Sequence, residues 1–514
     1  MKTELFINYF FISSILIAFL SILFFEMGRT RLSLLLLFLS SILVGIFIAK
    51  SDPFLHIWDE QFHALVAKNL IENPLKPILI KEPLFGFNPL DWSSTHIWIH
   101  KQPLFLWQMA ASLKIFGLTE LGVRFPSVLM HASMIFFIFR CGKIINSHNT
   151  GFYSALFYTY ANFPLEYISG SYSTDHNDIA FLFYCFASLW ALMEYYSSKK
   201  KRYLILIGIL SGGAILCKWL TGLLVYGIWV SLIYYNRKKH LYHKELKPFL
   251  VSLLVCILVF LPWQIYCLIN YPLQYTLSMN FNFKHIIQPL EGHGGSYFFY
   301  YDALYEQFGQ GLLIPPLIII CFGYTIYSIK NTNSKLILLL AVCFTYLFFT
   351  FVKTKMYGYV FVSLPIFIIG LAYTTQMLAE KIGPKINSQF AKRTGLIFIM
   401  LLITFLLFDS NKIYKRHTNK ESFKERRLKI KEKEMYLTLS ETFKNKKFLI
   451  FNCTTSLQSH IVSMFYTGFP SFNYILPQYQ IDEARVLGFK MIAIDNGNLP
   501  DYVKEDTSIV KTKF

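Results

Sequence analysis

The stretch LSLLLLFLSSILVGIFIA, residues 32–49, holds no charged side chain in eighteen positions. Eighteen helical residues rise about 27 Å, close to the thickness of a bilayer's hydrocarbon core, in which the backbone must satisfy its own hydrogen bonds. Working outward, comparable runs recur near 5–25, 123–141, 151–168, 178–197, 203–217, 220–235, 249–270, 309–328, 336–353, 357–377 and 394–409. About twelve spans are therefore predicted. The first run lacks a basic leader and an Ala-x-Ala-like cleavage site, and the second follows at once, so it reads as a span and not as a signal peptide.

The whole chain agrees with this reading. Its 514 residues are 54% hydrophobic, 18% aromatic and only 15% charged, with mean hydropathy +0.43. Charged residues run near a quarter in soluble globular proteins, so that class is excluded. The 49 Lys and Arg against 30 Asp and Glu leave a net charge of +19. In a polar chain that excess would suggest nucleic acid; here it lies mainly between apolar runs, and no nucleic-acid partner is expected. Of eight cysteines, six lie inside apolar runs, Cys267 lies near the end of one and Cys453 is alone in the tail. No disulfide or zinc-ribbon spacing results.

Short cytoplasmic loops retain Lys and Arg, and alternate loops here are basic: Arg29 and Arg31, Arg140 and Lys143, Lys199 to Arg202, Arg237 to Lys239, Lys330 and Lys335, then Lys381, Lys385, Lys392 and Arg393. The loops at residues 51–122, 169–177, 271–308 and 353–357 are then extracytoplasmic. Residues 412–447 conflict with this count, since thirteen basic and five acidic residues are placed outside, although long tails translocate despite charge. Beyond residue 411 the pattern changes to a charged helix, an apolar strand at 447–452, a helix at 459–466 and a second strand at 490–495. The predicted fold class is an all-α polytopic membrane domain, residues 1–410, with amphipathic helices in its 51–122 loop, followed by a small extracytoplasmic α/β domain, residues 411–514. No internal repeat is visible.

Polar chemistry gathers in the outer loops. Asp59-Glu60 opens the first, directly after a span, where two carboxylates either serve as a base pair or gain from a helix N-terminus. His100-Lys101-Gln102-Pro103 sets a cation and an imidazole before a backbone-fixing proline; Lys101 either snorkels to headgroups or meets a phosphate. Asp175 and Asp178 stand at the mouth of a span, where charge is costly, as functional candidates or helix caps. Lys218, where two apolar runs meet, is an interface anchor or a phosphate ligand. His285 and His293 share a loop and, with His100, are candidate metal ligands, although a lone loop histidine is more often solvated. Lys353-Thr354-Lys355-Met356-Tyr357 crowds two cations and a phenol at an outer turn and calls for an anionic partner such as lipid phosphate.

In their order these residues resemble the membrane glycosyltransferases of the GT-C fold, specifically glycosyltransferase family 39 and the aminoarabinose-transferase-like superfamily, which includes protein O-mannosyltransferases. The resemblance runs over about residues 50–375, through Asp59-Glu60, Lys101-x-Pro103-Leu104, Phe116-Gly117, Gly122-x-Arg124-Phe125-Pro126, Asp175, Lys218-x-x-x-Gly222, Leu261-Pro262-Trp263, the His285 and His293 loop, and Lys353-Thr354-Lys355-Met356-x-x-Tyr359. It implies transfer of a sugar from a polyprenyl-phosphate donor to a lipid A or other glycolipid, glycan or protein hydroxyl at the extracytoplasmic face of a bacterial inner membrane. By that resemblance Asp59 is the general base in an inverting attack. Glu60 and Asp175 orient the acceptor or bind a metal. Lys101, Lys218 and Lys355, with Arg124 and Tyr357, hold the donor phosphate, and His100 with His285 would ligate a divalent cation if one is used. The family's Lys-Pro-Pro is Lys101-Gln102-Pro103 here, and His100 stands where metal-binding relatives can carry a carboxylate. Membrane lipids are the remaining partners. The rival readings are a polytopic lipid or polysaccharide transporter, disfavoured because the charges sit at one face and no inverted repeat is visible, and an inactive scaffold.

Overall fold

The computed structural model describes residues 2–172, 175–236, 242–309, 311–382, 388–410, 412–413 and 420–514. Arg237 to Lys239 and Lys385, counted above among the basic loops, lie outside the described residues. Helices dominate in the order α1 (Lys2–Glu26), α2 (Thr30–Ser51), α3 (Asp59–Leu70), α4 (Leu104–Phe116), α5 (Glu120–Ile145), α6 (His148–Thr159), α7 (Asn162–Ile168), α8 (Asp175–Ser198), α9 (Arg202–Lys218), α10 (Leu224–Asn236) and α11 (Tyr242–Asn270). Then follow α12 (Pro272–Ile287), α13 (Phe299–Phe308), α14 (Ile314–Ser328), α15 (Thr332–Phe351), α16 (Leu364–Ile382) and α17 (Gln389–Phe408). The tail adds α18 (Lys420–Thr442), β1 (Phe448–Phe451), α19 (Ser459–Thr467), α20 (Gln478–Val486), β2 (Lys490–Asp495), α21 (Asp501–Lys504) and β3 (Ile509–Lys513).

Among the described residues, eight helical segments are long and apolar enough to cross a membrane, and Ile314–Ser328 and Arg393–Phe408 are shorter apolar helices. Two stretches are broken. The predicted 151–168 span is α6 and α7, interrupted at Tyr160 and Ala161, and α9 meets α10 through a 3₁₀ turn at Trp219–Leu223. Broken helices are tolerated at membrane depth only where protein or a cavity satisfies the freed backbone. Here Ser211 Oγ donates to Gly222 O at 2.6 Å. Gly222 lies so near the backbone of Ala214 and Ile215 that a Cβ could not be accommodated, which gives the glycine of Lys218-x-x-x-Gly222 a steric reason.

Contacts divide the chain into two compact units: Met1–Ile48, Ser127–Ile168 and His176–Asp409 on one hand, and Ala49–Pro126, Ser169–Asp175 and Ser410–Phe514 on the other. In the first, the membrane unit, small residues let helices approach closely. A Cβ on Gly208 or Gly212 of α9 would overlap Val255 or Val259 of α11. Hydroxyls bridge α1 and α2: Ser14 Oγ donates to Ser40 O and Ser21 Oγ to Ser33 O, each at 2.8 Å, and Tyr160 Oη lies 2.9 Å from both Ser14 and Ser40 Oγ.

The second, the loop-and-tail unit, contains a parallel sheet in the order β1-β2-β3, with Ile450 beside Ile492 and Ile492 beside Val510. The predicted strand, helix and strand are present, and α20 and β3 extend them. The core of Leu449, Phe451, Leu476, Ile481, Met491 and Ile509 is covered in part by Leu84 and Phe85 of the long first loop. Hence the loop and the tail share one apolar core.

Candidate active site

In the loop-and-tail unit the site is built on the first turn of α3. Trp58, just before it, has φ +66° and ψ −122°, a conformation bulky residues rarely adopt and one that costs of order 1–3 kcal/mol when held in place. Asp59 and Glu60 then fall at the positive end of the helix dipole, which stabilises carboxylates. Their surroundings diverge. Glu60 is buried and receives Arg124 in bidentate fashion, Nε to Oε1 at 2.6 Å and Nη2 to Oε2 at 2.9 Å, together with the His56 backbone N–H at 2.6 Å. Gly170, with φ +79°, lies against the Glu60 carboxyl, and a side chain there would overlap it.

Arg124 has five N–H donors, and the structure uses that number. Beyond the two bonds to Glu60, Nη1 donates to Ala49 O and Asp52 O at 2.7 and 2.6 Å, and Nη2 donates to Phe54 O at 2.7 Å. This completely buried guanidinium has no donor left for a phosphate oxygen, so its place among the phosphate ligands is corrected: it is a strut that shapes residues 49–60.

Asp59 is instead partly open, its side chain 13% exposed, with Lys101 Nζ 3.5 Å from Oδ1 and itself 18% exposed. Pro103 caps α4 and so sets Lys101 just before a helix start. Asp175 is buried, and its Oδ1 lies 3.0 Å from His63 Nδ1. The other ring nitrogen of His63 faces Asp59 Oδ1 at 3.8 Å. Residues 59, 101 and 175 are thus brought together, with the unpredicted His63 between two of them. Its one available signal was the four-residue spacing from Asp59, which places both on one helix face. His100 stacks on Trp92 at a centroid distance of 4.6 Å and 10° between planes.

The unit's outer polar contacts run into the tail. Arg426 of α18 pairs with Asp52, which His56 Nε2 also meets at 3.2 Å. Lys433 Nζ lies 2.6 Å from Glu120, whose carboxylate also accepts from the Tyr466 hydroxyl. Lys68 of α3 donates to Met464 O and Phe465 O of α19 at 2.8 and 2.7 Å. Burial pushes its ammonium down to about 8, with Lys81 adding to the shift and Glu72 opposing it.

In the membrane unit Lys218 ends α9 and pairs with Asp178, its Nζ also lying 4.7 Å from the Tyr359 ring centre. Trp219, immediately after it, has φ +57° and ψ −153°, a region that is essentially glycine's. Asp178 is buried, and Gly358 approaches it and the Tyr167 hydroxyl so closely that no Cβ fits. A second group joins the 285–293 loop to residues 353–355. Thr354 N donates to His285 O at 3.1 Å, Lys355 N to His293 O at 3.0 Å, and His285 Nδ1 lies 3.0 Å from Thr354 Oγ1. Lys355 Nζ donates to Phe349 O and Thr350 O at 2.8 and 2.6 Å. It thereby caps the carbonyl end of α15, and burial, helped by Lys353, pushes its ammonium below the ordinary value. Tyr357 stacks on Phe299 at 4.9 Å.

Among the described residues no group of three or more His, Cys, Asp and Glu is arranged to hold a metal ion. His100 rests in an aromatic stack and His285 on a threonine hydroxyl, so neither sits in a ready ligand set.

Residues 100–266 match the family described as dolichyl-phosphate-mannose-protein mannosyltransferase. No curated protein matches the sequence. Among solved structures, the chain is similar to ArnT from Cupriavidus metallidurans bound to undecaprenyl phosphate, with 14% identity, 88% of each chain covered and a TM-score of 0.62. The same protein in its apo state matches with 14% identity, 88% of each chain and a TM-score of 0.60. The apo oligosaccharyltransferase of Archaeoglobus fulgidus matches with 13% identity and a TM-score of 0.52, over 85% of this chain and 64% of the other. The chain thus spans less than two thirds of that transferase. The fold is GT-C, an integral membrane helical assembly with a small strand-containing tail.

Proposed function

We propose that this protein is a membrane glycosyltransferase that moves a sugar from a polyprenyl-phosphate donor to an acceptor hydroxyl at the extracytoplasmic face, with inversion. The observation that carries the reading is the contrast at α3, where Glu60 is locked to Arg124 while Asp59 stays open beside Lys101. A buried carboxylate with saturated partners cannot take a proton cheaply; a partly exposed one can. The GT-C fold, shared with an ArnT crystallised with undecaprenyl phosphate, supports the donor class.

In the reaction the acceptor hydroxyl gives its proton to the Asp59 carboxylate as its oxygen attacks the anomeric carbon. The bond from that carbon to the phosphate oxygen breaks, and the electron pair leaves with polyprenyl phosphate. Lys101 offsets the charge growing on the leaving phosphate, an interaction stronger in the transition state than before it. Within the membrane unit Lys218, by exchanging its Asp178 contact, is the cation proposed to take a lipid phosphate.

The test is purified protein in nanodiscs with a panel of polyprenyl-phosphate sugars and candidate acceptors, with and without EDTA, measuring free polyprenyl phosphate by mass spectrometry. Release from one donor is expected, lowered about 10²–10⁴-fold in Asp59→Asn. Full release by folded Asp59→Asn removes the base from the mechanism, and the EDTA arm decides whether a divalent cation takes part.

A further inference from the structure

Asp59 and His63 stand four residues apart on α3, and Asp175 is the first residue of α8. The His63 imidazole is completely buried between the two carboxylates, 3.0 Å from Asp175 through Nδ1 and 3.8 Å from Asp59 through Nε2. Trp98 and Phe105 close on the ring edge-to-face, at centroid distances of 5.9 and 4.8 Å. The ring has little freedom to turn.

The two distances differ in kind, because 3.0 Å is a hydrogen bond and 3.8 Å is not. A carboxylate that accepts at Nδ1 keeps the proton there and leaves a lone pair on Nε2. Asp59, ionised, also presents lone pairs, so the two face each other without bonding. Once Asp59 has taken the acceptor's proton it becomes a donor towards that nitrogen. The contact therefore strengthens along the reaction and not before it, which is the kind of interaction that raises turnover.

We infer that His63 is a positioning residue for sugar transfer: anchored by Asp175, it accepts a hydrogen bond from Asp59 at the moment Asp59 becomes protonated. Because imidazole is a stronger base than a carboxylate, the proton is shared between Asp59 and His63 until it returns to water after product release. This rests on the reading of Asp59 as the base. A purely structural His63, tying α3 to Asp175, would affect folding and leave turnover per folded molecule unchanged.

His63→Phe keeps the aromatic packing and removes both nitrogens, while His63→Gln retains an acceptor. Turnover is counted per donor-binding molecule in nanodiscs, with the donor identified by the release assay. Expected for His63→Phe is a fall in kcat of about 10- to 100-fold with donor KM within about twofold, partly restored in His63→Gln. Asp175→Asn, which presents an N–H to Nδ1 and turns the tautomer, is expected to lower kcat in the same way. Full kcat in His63→Phe, or in Asp175→Asn should His63→Phe fail to fold, overturns the proposal. Asp59→Asn is measured alongside. If it is inactive while His63→Phe is fully active, only the role of His63 falls; if it is active, the base reading falls first.

Discussion

Each unit holds an acid and a lysine next to a tryptophan in a strained backbone conformation, yet the two arrangements differ. In the loop-and-tail unit Trp58 precedes Asp59, and Lys101 stands off at 3.5 Å, leaving both groups partly open. In the membrane unit Trp219 follows Lys218, which is in direct contact with the buried Asp178. The loose pair has a carboxylate with spare capacity for a proton. The tight pair has a carboxylate whose charge is already answered, so its lysine is the group that can change partners. A base and a phosphate site need these opposite conditions, and a lysine beside an aspartate is no evidence for either until the separation is known.

The sharpest way to break this comparison is to neutralise the two acids separately. Asp59→Asn is expected to act on kcat by orders of magnitude. Asp178→Asn should instead leave Lys218 without its anion and change donor KM by about tenfold in either direction, with kcat within a fewfold. Steady-state kinetics on both variants decides; a kcat collapse in Asp178→Asn and none in Asp59→Asn would exchange their roles. Next in size is Arg124→Lys, which loses the fork and several carbonyl bonds. Leaving a buried carboxylate poorly paired costs about 3–5 kcal/mol, so this variant should lose thermal stability or abundance in membranes, whereas Lys101→Ala should keep both and lose activity. Equal abundance of the two variants would undo the distinction between strut and site.

The smallest effect concerns Lys68. Its folded pKa, about 8, lies below the unfolded value near 10.5, so the unfolded chain binds more protons between those values and stability rises with pH across that window. Melting curves from pH 8 to 10 should show a gain that Lys68→Met lacks.

What could be read from the residues follows from how local the cause was. Spans were legible because eighteen uncharged residues have few other fates, and Asp59 and Lys101 because each follows a fixed feature, the end of a span or the approach to a proline. Arg124 was misread as a phosphate ligand and its part as a strut was not legible, since its acceptors are the carbonyls of residues 49, 52 and 54 and the Glu60 carboxylate, up to 75 positions away. β3 escaped because Ile509-Val-Lys-Thr-Lys513 is short and half polar, and its place is set by pairing with β2. The break at Trp219 lies in a stretch that already read as two runs meeting, while that at Tyr160 depends on packing that no periodicity records.

The bonds from Arg426 to Asp52, Lys433 to Glu120 and Tyr466 to Glu120 join positions 374, 313 and 346 residues apart. A ribosome adding 5–20 residues per second leaves roughly 16 to 75 s between the two ends of these bonds. By the end of that interval the nascent chain has made most of its helices, while Asp52 and Glu120 have waited for their partners. A message cut short after residue 409 would therefore yield a protein that inserts in the membrane but never matures, distinguishable to a protease by the uncovered first loop.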